Sequence, residues 1–307
     1  MCILCDLEQS NDEMKEDGNE EKEEYKTSDS LHIRCDIKTD FNLSPFLFLK
    51  HLSFYECDEM MFLPSLSSLS SLPSLETLEI SHCKKLQITS LPNTITTLKL
   101  NDFSLSELSF NMPSSLIHLE LEIFPNLRVL PSTLSSLKYL TLFKLPKLEE
   151  LPNNLSSLIE IAIRSLDKIT NLPCMPSLKL LNCDLCENIS NINFEMFPNL
   201  ETVRIVELFK LGNIEGLYHL TKLRRLICIG CYIESIDNEL PISLKTIFLI
   251  ELPSLRNLPS FTPLINLNEL IIEYCDRLTE MSDLPSSIEK CRIRYCDNLE
   301  DVVKGEN

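Results

Sequence analysis

The sequence predicts an α/β-type solenoid that is mostly β: right-handed, with a parallel sheet on one face and an extended or 3-10 return path on the other. Three observations carry this. A leucine pattern recurs along nearly the whole chain, Leu-Pro pairs punctuate the stretches between its copies, and glycine is scarce, at 5 of 307 residues. A fixed internal period signals stacked supersecondary units, each too small to bury its own apolar face.

The repeat aligns on Leu-x-x-Leu-x-Leu. Leu75-Glu-Thr-Leu78-Glu-Ile80-Ser-His-Cys83, Leu137-Lys-Tyr-Leu140-Thr-Leu142 and Leu267-Asn-Glu-Leu270-Ile-Ile272-Glu-Tyr-Cys275 all fit it. The starts are Leu49, Leu75, Ile95, Leu116, Leu137, Leu158, Leu178, Leu200, Leu223, Leu244, Leu267 and Ile288, twelve in all, with steps of 20 to 23 residues after a first step of 26. Each x-Leu-x-Leu-x stretch is a short strand whose alternate side chains point inward. Parallel stacking at about 4.8 Å per strand builds one sheet and one core.

The return path is legible from proline. Leu91-Pro92, Leu130-Pro131, Leu151-Pro152, Leu172-Pro173, Leu258-Pro259 and Leu284-Pro285 follow the strands. Proline fixes φ and removes a donor, so these stretches are extended or short 3-10 rather than long helices. Ser-Ser-Leu or Asn-Asn-Leu often leads into the next strand.

With twelve in-register copies over residues 46–303, the chain resembles the leucine-rich-repeat family. The strand–Cys-x-x-Leu pattern, as in Glu79-Ile80-Ser81-His82-Cys83-Lys84-Lys85-Leu86, is similar to the repeats of plant intracellular immune receptors. The short repeat with Leu-Pro is similar to bacterial leucine-rich-repeat effectors. The sequence departs from both, holding neither a nucleotide-binding domain nor the helical ubiquitin-ligase domain of some effectors, so neither enzymatic activity is carried over.

The domain reading has three parts. Residues 1–30 form an acidic disordered tail, with eleven acidic side chains and three lysines between positions 6 and 30. Residues 31–45 hold an N-terminal cap strand, Leu31-His-Ile33-Arg-Cys35-Asp-Ile37, that covers the first repeat. Residues 46–307 form the repeat domain. No polar cap follows the twelfth repeat: the last residues curl over the end, or the chain continues, or a partner sits there.

Composition excludes several functions. No Gly-rich phosphate-binding motif is present, and the low glycine content argues against dinucleotide folds. The net charge of −18 repels nucleic acid and anionic lipid. No stretch of about 18 apolar residues is present, so no membrane insertion is expected. Thirteen cysteines without a secretory signal point to free thiols in a reducing, cytoplasmic compartment.

Cys183-x-x-Cys186 and Cys228-x-x-Cys231 suggest zinc. Their register opposes it: the pairs fall in repeats seven and nine, about 10 Å apart, with Ile205 and Leu208 between them in the same columns. No metal or cofactor is therefore expected. Cys57, Cys83, Cys186, Cys231, Cys275 and Cys296 share a position that is often Asn in the resembling family, where the inward side chain satisfies backbone carbonyls of the neighbouring repeat. No nucleophile, base and orienter converge on any of the five histidines, so no catalytic residue is assigned and the chain reads as a non-enzyme with no small-molecule substrate.

The outward strand positions point to function. One column reads Ser53, Glu79, Lys99, Glu120, Thr141, Ala162, Asn182, Arg204, Ile227, Phe248, Ile271, Arg292. The next reads Tyr55, Ser81, Asn101, Glu122, Phe143, Arg164, Asp184, Val206, Ile229, Ile250, Glu273, Arg294. The early strands are polar, whereas Val206, Ile227, Ile229, Phe248, Ile250 and Ile271 make an exposed apolar patch rimmed by Arg204, Arg225, Arg292 and Arg294. Such a patch marks an interaction site. The expected function is protein–protein recognition on the concave strand face, in immune-type or host–pathogen signalling. The alternative is a substrate-recognition subunit of a ubiquitin ligase or other enzyme complex.

Overall fold

A strand of five residues with two inward leucines is stable only if a neighbour covers it, and the fold repeats that arrangement. The computed structural model describes residues 29–34, 43, 46–58, 60–61 and 72–299; residues 1–28 of the expected acidic tail, Cys35 and Ile37 lie outside them, and Ser30, the last residue of that tail, begins a strand. The chain divides into two compact units, residues 1–137 and 138–307. Both are built from parallel strands joined by extended connections, the mostly β solenoid architecture that the repeat predicts.

The first unit contains β1 (Ser30–Ile33), β2 (His51–Tyr55), β3 (Thr77–Ser81), β4 (Thr97–Asn101) and β5 (His118–Glu122). They pair in sequence order and in parallel, placing Leu31, Leu52, Leu78, Leu98 and Leu119 in one inward column and Ile33, Phe54, Ile80, Leu100 and Leu121 in the next. Every one of these side chains is buried. β1 carries Leu31 and Ile33 in the same register as the repeats.

The second unit contains β6 (Tyr139–Phe143), β7 (Glu160–Arg164), β8 (Leu180–Asp184), β9 (Thr202–Val206), β11 (Arg225–Ile229), β13 (Thr246–Ile250), β14 (Glu269–Glu273) and β15 (Lys290–Arg294), again parallel and in register. Two-residue strands β10 (Asn213–Ile214) and β12 (Ser235–Ile236) pair with each other on the return path. Helix among the described residues is limited to 3-10 turns at Phe194–Met196 and Leu217–His219. They fall in repeats lengthened to 22 and 23 residues, where the extra chain winds rather than extends.

All twelve repeat strands begin two residues after the Leu or Ile that starts the repeat. All twelve also end the same way. The residue after the strand adopts a left-handed backbone, with φ between 51° and 65°, from Glu56 to Tyr295. This kink swings the following side chain inward and frees its own N–H to reach the next repeat. Glu56 N–H donates to Ser81 O at 3.0 Å, Ser165 to Asp184 O at 3.1 Å, and Glu251 to Glu273 O at 2.8 Å. Only one of these positions is glycine, Gly230. A side chain in this conformation costs about 1–2 kcal/mol, which the inter-repeat hydrogen bond and the burial of the next side chain offset.

The inward residue after the kink is Cys57, Cys83, Phe103, Phe124, Leu145, Leu166, Cys186, Leu208, Cys231, Leu252 or Cys275, each at most 2% exposed, and the half-buried Cys296 in the last repeat. Phe103 and Phe124 stack at 5.6 Å. The thiols bond differently from the expected pattern. They donate mainly to the last carbonyl of their own strand, two residues back: Cys83 to Ser81 O at 3.3 Å, Cys186 to Asp184 O at 3.4 Å, Cys231 to Ile229 O at 3.4 Å. Cys57 and Cys275 also donate to a neighbouring strand, at Ile33 O and Leu249 O, both at 3.7 Å. A thiol side chain is one bond long and turns back to the nearest carbonyl, where a longer amide would span to the neighbour.

A serine stands before seven of the twelve starts, and three of these serines have a matching role. Ser115, Ser243 and Ser287 hydroxyls donate to the carbonyls of Ile95, Leu223 and Leu267, the first residues of the preceding repeats, at 2.6–2.7 Å. The kink and the core make separate contributions that urea unfolding distinguishes. Leu226→Ala, at a fully buried site, is expected to cost about 2–5 kcal/mol. Gly230→Ala places a Cβ 3.0 Å from Glu207 Cγ at φ +65° and is expected to cost about 1 kcal/mol; an unchanged urea midpoint for Gly230→Ala would remove the strain argument.

Candidate interaction face

The outward side chains of each compact unit form columns because the strands pair without a slip. In the second unit Arg204, Ile227, Phe248, Ile271 and Arg292 are consecutive partners, and beside them run Val206, Ile229, Ile250, Glu273 and Arg294. Arg225 lies between Thr202 and Thr246 at the strand entrance. Register therefore brings together all ten residues singled out by the sequence.

Their exposure differs from the expectation of an open patch. Ile271 is 7% and Val206 8% exposed, so both are buried; Ile227, Ile229, Phe248 and Ile250 are half-buried. Outward side chains on strands about 4.8 Å apart cover one another, so an apolar column shields its own flanks and presents mainly its upper edges. The arginines also divide. Arg204 donates to Asn182 Oδ1 at 2.8 Å and the exposed Arg292 lies 3.7 Å from Glu273; Arg225 and Arg294 are exposed as well.

A feature that the sequence reading missed lies along the same strand ends. Glu207, Gly230, Glu251 and Tyr274, all at the left-handed position, line a cleft of about 460 Å³ with Phe209, Tyr232, Pro253 and Asp276. Tyr274 stacks on Tyr295 at 4.5 Å. Sequence periodicity does not mark these residues, because they sit one step beyond the alternating strand and their side chains share no chemistry.

The first unit has a polar face whose groups pair between adjacent strands, while Asn101 Oδ1 stays buried with no hydrogen-bond partner among the described residues. His32 Nδ1 and Ser53 Oγ are 2.7 Å apart, Lys99 Nζ and Glu120 Oε2 are 3.3 Å apart, and Asn101 Nδ2 donates to Glu122 Oε2 at 3.1 Å. Burial, then the nearby Glu120 carboxylate, raises the pKa of Glu122, while Lys99 opposes the rise.

The two Cys-x-x-Cys pairs do not converge. Ile205 sits between Cys183 and Cys228 on the intervening strand. Within each pair the thiols bond each other: the hydrogen bond and burial push Cys183 and Cys228 up, and the bonds they donate lower Cys186 and Cys231. Among the described residues no group of three or more His, Cys, Asp or Glu is arranged to hold a metal ion, and no helix is long and apolar enough to cross a membrane.

No family model and no curated protein matches the chain. Solved structures do. A leucine-rich-repeat protein of Leptospira interrogans is 16% identical, with a TM-score of 0.54 over 91% of this chain and 88% of that one. The functional domain of InlJ from Listeria monocytogenes, described as including a cysteine ladder, is 16% identical with a TM-score of 0.51, over 87% of this chain and 63% of that one. At this identity the likeness is one of fold: the chain is a leucine-rich-repeat solenoid.

The environment of Glu122 has a pH signature. A carboxyl that binds its proton more tightly folded than unfolded stabilises the fold at acid pH, and that contribution is lost as pH rises from the unfolded value through the raised folded one. Glu122→Gln should therefore remove a component of stability that, in the parent, declines as pH rises above the ordinary 4.5. Urea midpoints of both proteins from acid to neutral pH check this; parallel curves would rule it out.

Proposed function

We propose that the chain is a protein-recognition scaffold, not an enzyme, whose partner docks on the outward strand face of residues 138–307 with Phe248 at the centre. The observation behind this is the run of Ile227, Phe248 and Ile271 on successive strands beside Ile229 and Ile250. Outward positions elsewhere carry Glu79, Lys99, Glu120 and Asn182, so the sheet does not itself require apolar residues there. Large half-buried side chains gain further burial only against a second surface, and a central aromatic ringed by aliphatics and arginines is the composition of an interface core and rim. The exposed Arg225 and Arg294 suit an acidic rim on the partner. We further propose that this recognition serves immune-type or host–pathogen signalling inside the cell, in keeping with the free thiols.

Affinity capture from native extract, followed by binding measurements on variants, tests the face. Phe248→Glu should weaken binding by at least about 2 kcal/mol, because it removes an anchor and buries a charge against an apolar partner. Its effect on the urea midpoint should stay within about 1 kcal/mol, the scale of a cross-strand pair. Glu120→Gln, on the polar face of the first unit, should leave affinity unchanged. Full binding by Phe248→Glu together with loss through substitutions on the return path would place the interface elsewhere.

A further inference from the structure

Two columns run past the strand ends of the second unit. The left-handed position carries Glu207, Gly230, Glu251 and Tyr274 on consecutive repeats, and two residues further on stand Phe209, Tyr232, Pro253 and Asp276. Together they line the cleft of about 460 Å³. We propose that this cleft receives an arginine side chain from an extended segment of a protein partner, with the guanidinium over Gly230, between Glu207 and Glu251 and against the Tyr232 ring. The proposal rests on the reading of the chain as a protein-recognition scaffold, but not on the columns around Phe248.

The opening comes from one residue. Gly230 has no side chain, so the backbone between Glu207 and Glu251 is bare. Inter-repeat bonds fix all three positions: Glu207 N–H donates to Ile229 O at 2.8 Å, Gly230 N–H to Ile250 O at 3.0 Å, and Glu251 N–H to Glu273 O at 2.8 Å. Adjacent strands lie about 4.8 Å apart, so the two acids stand about 10 Å apart with the glycine midway. A Cβ at Gly230 would meet Glu207 Cγ at 3.0 Å, so the Glu207 side chain leans over the gap. The walls are aromatic and open. Phe209, Tyr232 and Tyr274 are 42%, 52% and 46% exposed, and the Phe209 and Tyr232 rings are 5.8 Å apart.

The charges call for a cation that this chain does not supply. In the first unit, acids at the same position after the strand pair with a base one repeat earlier: Glu56 with Arg34 at 2.7 Å and Asp102 with His82 at 2.9 Å. Glu207 and Glu251 have only Leu185, Gly230 and Tyr274 beside them in that column. Among the described residues, neither carboxylate, nor that of Asp276, meets a hydrogen-bond donor or a cation. Lys210 is turned to Asn188 Oδ1 instead. Arg34 shows how a guanidinium uses such a place: it bonds Glu56 while lying over the Tyr55 ring at 5.5 Å. Carboxylate pairing and the face of an aromatic ring both favour a cation. A guanidinium has donors along two edges of a plane, so it bonds an acid on either side while its face rests on the ring; an ammonium is a point charge and does less.

The test titrates the full chain, labelled with nitrogen-15, at neutral pH and low salt with the capped peptide Gly-Ser-Arg-Ser-Gly. The expected result is saturable movement of the Gly230 and Tyr232 amide signals. Citrulline in place of arginine, a neutral group of the same shape, should weaken binding roughly tenfold or more, and lysine should fall between the two. The double variant Glu207→Gln with Glu251→Gln should lose the preference for arginine over citrulline at an unchanged urea midpoint. Phe248→Glu should bind the peptide as the parent does, so failure of the cleft and failure of the strand columns are read separately. Equal binding of the arginine and citrulline peptides, or a preference that survives the double variant, would overturn the proposal. So would calcium ions that move the same signals where the arginine peptide does not, or a dimer of the chain that the double variant dissociates.

Discussion

Each repeat strand carries two inward side chains that it has no means of burying alone, and this incompleteness governs the rest. A five-residue strand with one left-handed residue behind it has too little chain to fold back over its own leucines. Only the same pair on the next strand, at the same height, completes the burial. A one-residue slip would turn every inward side chain outward, so the register holds even where the repeat lengthens from 20 to 23 residues. The extra residues are absorbed on the return path, as in the 3-10 turns at Phe194–Met196 and Leu217–His219, far from the ladder.

That dependence explains which parts were legible. Leu78 and Ile80 or Leu226 and Cys228 declare their direction by alternation, and the alternation fixed the outward columns as well, down to Arg204, Ile227, Phe248 and Ile271 as consecutive neighbours. The left-handed kink left no such trace. Its twelve occupants include Ile123, Lys144, Leu185 and Tyr274, and only Gly230 is the residue type that signals positive φ. The kink is imposed by the inward side chain next to it and by an inter-repeat hydrogen bond, so local propensity is overridden. The acid- and aromatic-lined cleft went unseen for the same reason, since four of its residues occupy that position. The burial of Val206 and Ile271 was also out of reach, because it depends on the size of cross-strand neighbours rather than on which face a residue occupies.

The outward faces show two solutions to one geometric problem. Side chains on adjacent strands are forced into contact whatever their chemistry. Where the columns are polar, the contact is used for pairing, as between Lys99 and Glu120 or Asn101 and Glu122. Such exposed pairs contribute little, about 0–1 kcal/mol each, and Glu122 with its raised pKa shows that the pairing is imperfect. Where the columns are aliphatic, neighbours cover part of each other and leave the remainder unsatisfied.

The thiols after the kink follow the same logic inside the core. That position accepts Phe103, Phe124, Leu145 or Leu252 as readily as cysteine, so burial rather than hydrogen bonding is its first requirement. A thiol meets it as a small apolar group and adds a weak bond to a strand-end carbonyl. Cysteine also brings reactivity, which burial suppresses at Cys57, Cys83, Cys186, Cys231 and Cys275, where a covered thiol does not meet an oxidant.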